Sequence, residues 1–312
     1  MKLETNAKFN PDNVILSDAK TGNIPTETGE LIIGDIMQNS VIMQLAKYEP
    51  MEKQEKTLMY LAEGPGAYWV NEAEKIQTSK TQWLSLSLVA KKLGVIIPVS
   101  NEFLNYTVSN FFEIIKPKVA EAFRLKFDQA ALFGTNSPYV AGNSIFERAT
   151  AAGNIITGTD NVYADLNNAM ALVEAGDHDP NAIATVRSLN ARLRGAVDGN
   201  GLPMFNNVNS GAISTPIGLP IAYGNSKAWD KAKAELMLGD WNQAIYGIPQ
   251  GLEYMISEDA TLSTVVGEDG APINLFERDL VALRATMHVA FLTVKEDAFA
   301  AVTPKSKAST EA

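Results

Sequence analysis

TLMYLA (57–62), EGPGAYWVNEAEKIQTSK (63–80) and WLSLSLV (83–89) decide the fold when read together. The first and third stretches are strands. In the third, Leu84, Leu86 and Leu88 alternate with Ser85 and Ser87 at the period of two that a pleated ribbon imposes. The segment between them is too long for a tight turn and makes an elaborate tip, with Gly64, Pro65 and Gly66 as turn-formers. Residues 47–80 hold five lysines and six glutamates. A charged two-stranded ribbon is marginal alone in water, so it must lie on another surface. Tyr68 and Trp69 sit near the tip with little local core to join. Such aromatics dominate interface energetics, so an intersubunit plug is preferred to simple loop anchoring.

Residues 1–30 are polar and broken by Gly22, Pro25 and Gly29, as expected of an arm ordered by a partner surface. A short helix is predicted within 31–46, and no signal peptide is expected behind MKLETNAKFN. LGVIIPV (93–99) reads as a buried strand. Residues 110–134 place Phe111, Ile115, Val119, Ala122, Phe123, Phe127, Ala130 and Ala131 at three- and four-residue intervals. That is a long amphipathic helix, capped by Asn110 with Glu113 and ended by Gly134. Pro117 either kinks it or marks its start. Further on, 161–175 is a helix capped by Asp160 or Thr159, 182–186 a strand, and 188–195 a short helix with a serine cap. Turn-rich sequence runs to Pro220. Strands are predicted at 233–239, 252–257 and 281–294, with a turn at 268–270 and a polar tail at 303–312.

Composition narrows the function. Lysine and arginine number 26 against 36 aspartates and glutamates, a net charge of −10 that disfavours a general nucleic-acid binder. With no cysteine, disulfides, thiolate metal sites and cysteine nucleophiles are excluded. No apolar run has the ~18 residues of a membrane helix. GxSxG, HExxH and Walker A patterns are absent. His178, in GDHDP (176–180), has two aspartate neighbours, but adjacent residues rarely converge on one ion, and a solvated turn is favoured. His288 reads as a polar-face strand residue, and Arg124 with Asp128 as an ordinary helix-face ion pair. No catalytic, cofactor or metal residue is assigned, so the chain is expected not to be an enzyme.

The order of polar arm, charged hairpin, long helix, mixed α/β region and return strand resembles the major capsid proteins of tailed bacteriophages with the Hong Kong 97-type fold, in particular those of siphophages of Gram-positive hosts. The stretches that carry the resemblance are KYEPMEKQEKTLMYLAEGPGAYWVNEAEKIQTSK (47–80), LGVIIPVSNEFLNYT (93–107), FDQAALFGT (127–135), GDWNQAIYGI (239–248) and NLFERDLVALRATMHVAF (274–291). It implies an α+β fold with an N-terminal arm (1–46), an extended hairpin loop (47–92), a peripheral domain with its spine helix (93–154), an axial domain (155–248), and return strands and tail (249–312). The implied function is a structural shell protein. It forms hexamers and pentamers of an icosahedral capsid around double-stranded DNA, held without sequence-specific binding. The shell is assembled in the host cytoplasm and finally located in the virion. Because only ~46 residues precede the hairpin, fewer than a domain needs, a separate scaffolding protein is expected, with a portal. The type member's covalent cross-link does not carry over: Lys75 and Lys80 lie near the tip, but no accepting asparagine matches. Candidate intersubunit contacts are Gly64, Pro65, Gly66, Tyr68, Trp69, Glu72, Glu74, Lys75 and Lys80. The alternatives are an encapsulin-type compartment and an α/β enzyme using GDHDP.

Overall fold

A computed structural model describes residues 40–63, 65–72, 75–76, 78–79, 81–101, 111–197, 200–205, 216–266, 270 and 272–305. Among the described residues, two five-stranded sheets and five α-helices form the body.

The first sheet is built from β1 (Lys47–Tyr48), β2 (Glu55–Glu63), β3 (Gln82–Ser100), β8 (Ala244–Ser257) and β11 (Leu280–Thr293). Their spatial order is β1-β8-β11-β3-β2. β2 and β3 pair antiparallel from Glu55↔Val89 to Leu61↔Trp83, which is the expected ribbon. The expected strands at 83–89 and 93–99 are one continuous 19-residue strand, so the ribbon grows directly out of the sheet. β11 pairs with β3 in unbroken register from Leu280↔Ser100 to Ala290↔Ala90. β8 extends well beyond the expected 252–257 and carries bulges opposite His288.

The second sheet is built from β4 (Ile155–Thr157), β5 (Ala182–Val186), β6 (Ile221–Gly224), β7 (Leu236–Gly239) and β12 (Phe299–Thr303). Their spatial order is β4-β12-β7-β5-β6. Both faces are covered. Ala182, Ala184, Met237, Phe299 and Ala301 point into the larger core, and Ile183, Leu236, Leu238, Ala300 and Val302 into a second core. A sheet buried on both faces needs continuous apolar sequence rather than alternation. β12 falls in the span expected to hold only return strands and tail, yet it is an interior strand of this second sheet. A small hairpin of β9 (Thr261–Val266) and β10 (Pro272–Asn274) stands beside the first sheet; most of the turn expected at 268–270 lies outside the described residues.

The helices are α1 (Val41–Leu45), α2 (Phe111–Phe133), α3 (Ile145–Ala151), α4 (Val162–Ala175) and α5 (Leu189–Gly195). Helix α2 buries Val119, Phe123, Phe127 and Ala131 in the larger core, which also receives Ala285, Met287, Val289 and Phe291 of β11. Ala122 departs from the expected stripe and is exposed. Pro117 lies inside α2 rather than at its start; the proposed Asn110 cap lies outside the described residues. Gly134 ends the helix at φ +67°, where a side chain would also collide with the Glu147 carboxylate. The cap of α4 is Asn161, whose side chain accepts from the Tyr163 and Ala164 amides. Asp160 instead receives Lys305, and Thr159 donates to Asp165, one turn into α4. Ser188 precedes α5 without a side-chain capping bond.

Candidate assembly surfaces

The base of the ribbon is fastened to the body. Lys56 Nζ donates to Glu49 Oε1 at 2.6 Å and to the Pro50 carbonyl at 2.8 Å. The Glu49 amide donates to the Tyr246 carbonyl, and the Ala90 amide to that of Gln54. Met51, Leu88, Ala90 and Ala290 make a small core beneath it. Beyond this base the described residues leave the ribbon's apolar side chains open. On one face Tyr60 and Leu84 stand opposite each other; on the other, Leu61 faces Trp83, with Met59 beside them. Met59, Leu61, Trp83 and Leu84 are all exposed. Apolar side chains thus emerge on both faces, whereas a ribbon resting on its own subunit would cover at least one.

The tip repeats the pattern. Trp69 is fully exposed at 105% and Ile76 at 81%, with Tyr68 and Val70 also open. The Gly66 amide donates to Ser79 Oγ at 2.6 Å, bridging the two sides of the loop. A side chain on Gly66 would meet the Tyr68 ring and hydroxyl at 3.2–3.4 Å, so a glycine suits this close approach. Of the sequence-derived contact candidates, Pro65, Gly66, Tyr68, Trp69, Glu72 and Lys75 are all exposed. Gly64, Glu74 and Lys80 lie outside the described residues.

Sequence reasoning missed a joint between α1 and α2. Asp128 is 1% exposed. Its carboxylate accepts from Ser40 Oγ at 2.6 Å, the Val41 amide at 3.2 Å and the Ile42 amide at 3.5 Å. Ser40 Oγ in turn accepts from the Met43 amide. One carboxylate from the long helix therefore caps the short one and ties it to the body. The expected Arg124–Asp128 surface pair is corrected: Asp128 is buried, and among the described residues Arg124 Nε has no hydrogen-bond partner. Burial pushes the Asp128 carboxyl up to about 6, against the lowering effect of Ser40, the Val41 and Ile42 amides and the Arg124 charge.

His178 also departs from expectation. It is buried rather than solvated, and its Nε2 lies 3.0 Å from Asp297 Oδ1. It ties the turn after α4 to the approach of β12. Asp177 and Asp179 do not join it in a metal-binding group; among the described residues no cluster of three or more such ligands occurs. Among the described residues, no helix is long and apolar enough to cross a membrane.

Comparison with known proteins gives a consistent result. The Phage capsid family matches residues 22–303. The chain is 45% identical, over 300 residues, to the major capsid protein of Staphylococcus phage 80alpha, covering 96% of this chain and 90% of that one. Among solved structures, one from Microbacterium phage Oxtober96 superposes with a TM-score of 0.76 at 28% identity, covering 86% of this chain and 91% of the other. One from Mycobacterium phage Adephagia gives 0.73 at 24%, covering 87% and 92%.

Proposed function

The chain belongs to the phage capsid family, and from that premise we propose how its surfaces are used. It is a bacteriophage major capsid protein with the α+β Hong Kong 97-type fold, a structural protein of the virion. Its copies assemble as hexamers and pentamers into an icosahedral shell that encloses double-stranded DNA without reading its sequence. A scaffolding protein and a portal are the partners this role requires, with assembly in the host cytoplasm. The role is structural rather than catalytic. The relatives are phage capsid proteins, which sets the encapsulin alternative aside.

Within this reading, residues 1–46 are the arm and 47–92 the extended loop. Residues 93–154 and most of 249–312 form the peripheral domain. Residues 155–248, joined by β12, form the axial domain. The contact residues at the loop tip are Gly64, Pro65, Gly66, Tyr68, Trp69, Glu72, Glu74, Lys75 and Lys80, and the bonds they make between subunits are non-covalent.

The observation that carries the reading is Trp69, wholly in water at the end of a ribbon that shows apolar side chains on both faces. Fully burying such a side chain is favourable by ~2–3 kcal/mol, and among the described residues of its own subunit none covers it. Negative-stain electron microscopy with sedimentation, on the chain expressed with a cognate scaffolding protein, checks this. Closed shells or ring-shaped capsomers are expected. A monodisperse monomer under assembly conditions would refute it.

A further inference from the structure

The chain has a single Asn–Gly pair, Asn200–Gly201, at the end of a loop that leaves α5. The two legs of that loop are pinned together by the Val197–Pro203 bridge and by the Met204 amide, which donates to the Ala196 carbonyl at 2.9 Å. Asn200 and Gly201 are both exposed. Val197 and Leu202, on either leg, are more than half exposed as well, at 53% and 62%. Gly201 has φ +79°, and a Cβ built on it would meet nothing within 4 Å. The space beside the Asn200 carboxamide that another residue would fill is therefore open, and a glycine backbone swings through conformations closed to other residues. Among the described residues the Gly201 amide makes no backbone hydrogen bond.

The asparagines followed by serine are held differently. Asn143 is 6% exposed; its Nδ2 donates to the Phe291 carbonyl at 3.1 Å and its Oδ1 accepts from the Thr293 amide at 3.0 Å. The Ser144 amide behind it donates to Glu147 Oε2 at 3.3 Å. The Ser137 amide, behind Asn136, donates to the Gly134 carbonyl at 3.4 Å. Asn225 Oδ1 accepts from the Lys227 amide at 2.9 Å. In each case the backbone amide or the carboxamide is committed to a bond that the fold needs.

We propose that Asn200 is a self-modifying site, deamidating without any enzyme in the folded subunit. The deprotonated Gly201 amide nitrogen attacks Asn200 Cγ. The new N–Cγ bond closes a succinimide ring, the Cγ–Nδ2 bond breaks, and Nδ2 leaves as ammonia with the proton that the amide gave up. Water then opens the ring. Cleavage of the N–Cγ bond leaves aspartate, and cleavage at the Asn200 backbone carbonyl leaves isoaspartate, with the main chain rerouted through the former side chain. Water is the sole co-reactant. Either product adds one negative charge to a chain already at −10. Copies of one sequence thus become chemically unequal with age, at a loop tip where the core is untouched.

The test incubates the full-length, unassembled subunit at mildly alkaline pH, digests samples over time and follows each asparagine by mass spectrometry. Fragmentation locates the mass gain of NH exchanged for O, and chromatography separates aspartyl from isoaspartyl peptides. Asn200 should convert at least tenfold faster than Asn136, Asn143 or Asn225, with isoaspartate among its products. The same incubation in urea separates sequence from fold. Unfolding should speed Asn143 tenfold or more and change Asn200 less than threefold. An Asn200→Gln variant should lose the fast mass gain. The proposal is overturned if Asn200 converts no faster than the other three, if unfolding speeds it tenfold, or if the fast gain persists in the variant.

Discussion

Replacing Asp128 by asparagine removes one ionisable group while changing little volume. The wild-type carboxyl is pushed up to about 6 from the ordinary 3.8. At about 1.4 kcal/mol per pH unit, that difference is worth about 3 kcal/mol. The sign follows from which state holds the proton more tightly. The folded chain keeps it up to about pH 6, whereas the unfolded chain releases it near pH 4. Between those values unfolding releases a proton, so raising the pH favours the unfolded state. This group's favourable contribution is complete below about pH 4 and is lost as the pH climbs through 6. The Asp128→Asn side chain would not titrate, and its single carbonyl oxygen still accepts one bond from the Ser40–Ile42 cap. Urea unfolding of the unassembled subunit, followed by fluorescence of the buried Trp229 and Trp241, would be run on both proteins at several values from pH 4 to 7. The stability difference, wild type minus variant, should fall by roughly 2 kcal/mol across that window. Subtracting the two curves cancels every other carboxylate. A difference that stays flat within ~1 kcal/mol would refute the account of Asp128 as a desolvated cap.

Trp69→Ala should leave subunit stability within ~0.5 kcal/mol, because the indole touches little of its own chain, yet reduce particle yield severely. Urea midpoints and sucrose-gradient yields would show both halves, and normal particle yield would count against the overlap. Trp241, 1% exposed, donates from Nε1 to the Ala182 carbonyl at 3.0 Å and packs edge-on against Phe299. Trp241→Ala should cost ~3–5 kcal/mol by thermal or urea unfolding. Gly239→Ala would put a methyl group onto the Ala298 carbonyl and within 2.8 Å of the Phe299 ring. A loss of roughly 1–3 kcal/mol from such overpacking should appear as a lower urea midpoint.

The ribbon and the long helix were legible because their signals are local. Leu84, Leu86 and Leu88 alternate with serines, and Phe123, Phe127 and Ala131 repeat at helical spacing. What remained hidden depends on distant pairing. β3 reads as two strands because Lys91 and Lys92 interrupt its apolar run. In space, the strand passes there from a covered region to an open one. β12 is only FAAVT, and its identity as an interior strand comes from β4 and β7, which lie far back along the chain. α3 was findable: Ser144 and Glu147 spell a capping box, and the structure makes both of its bonds. Nothing local to Asp128 shows that its carboxylate serves amides some 87 positions earlier. The row of Ile96, Arg284 and Met255 also escaped, since it exists only once three distant strands come into register. Of the candidate contact residues at the tip, Gly66, Tyr68 and Trp69 were readable as loop residues, and they are exposed.

The most direct measurement is a cryo-electron microscopy reconstruction of assembled particles at side-chain resolution. Density for residues 57–89 should cross from each subunit onto its neighbour, with the Trp69 indole enclosed between two chains. A closed shell in which every ribbon lies along its own subunit, with that indole still facing solvent, would rule out assembly by ribbon overlap.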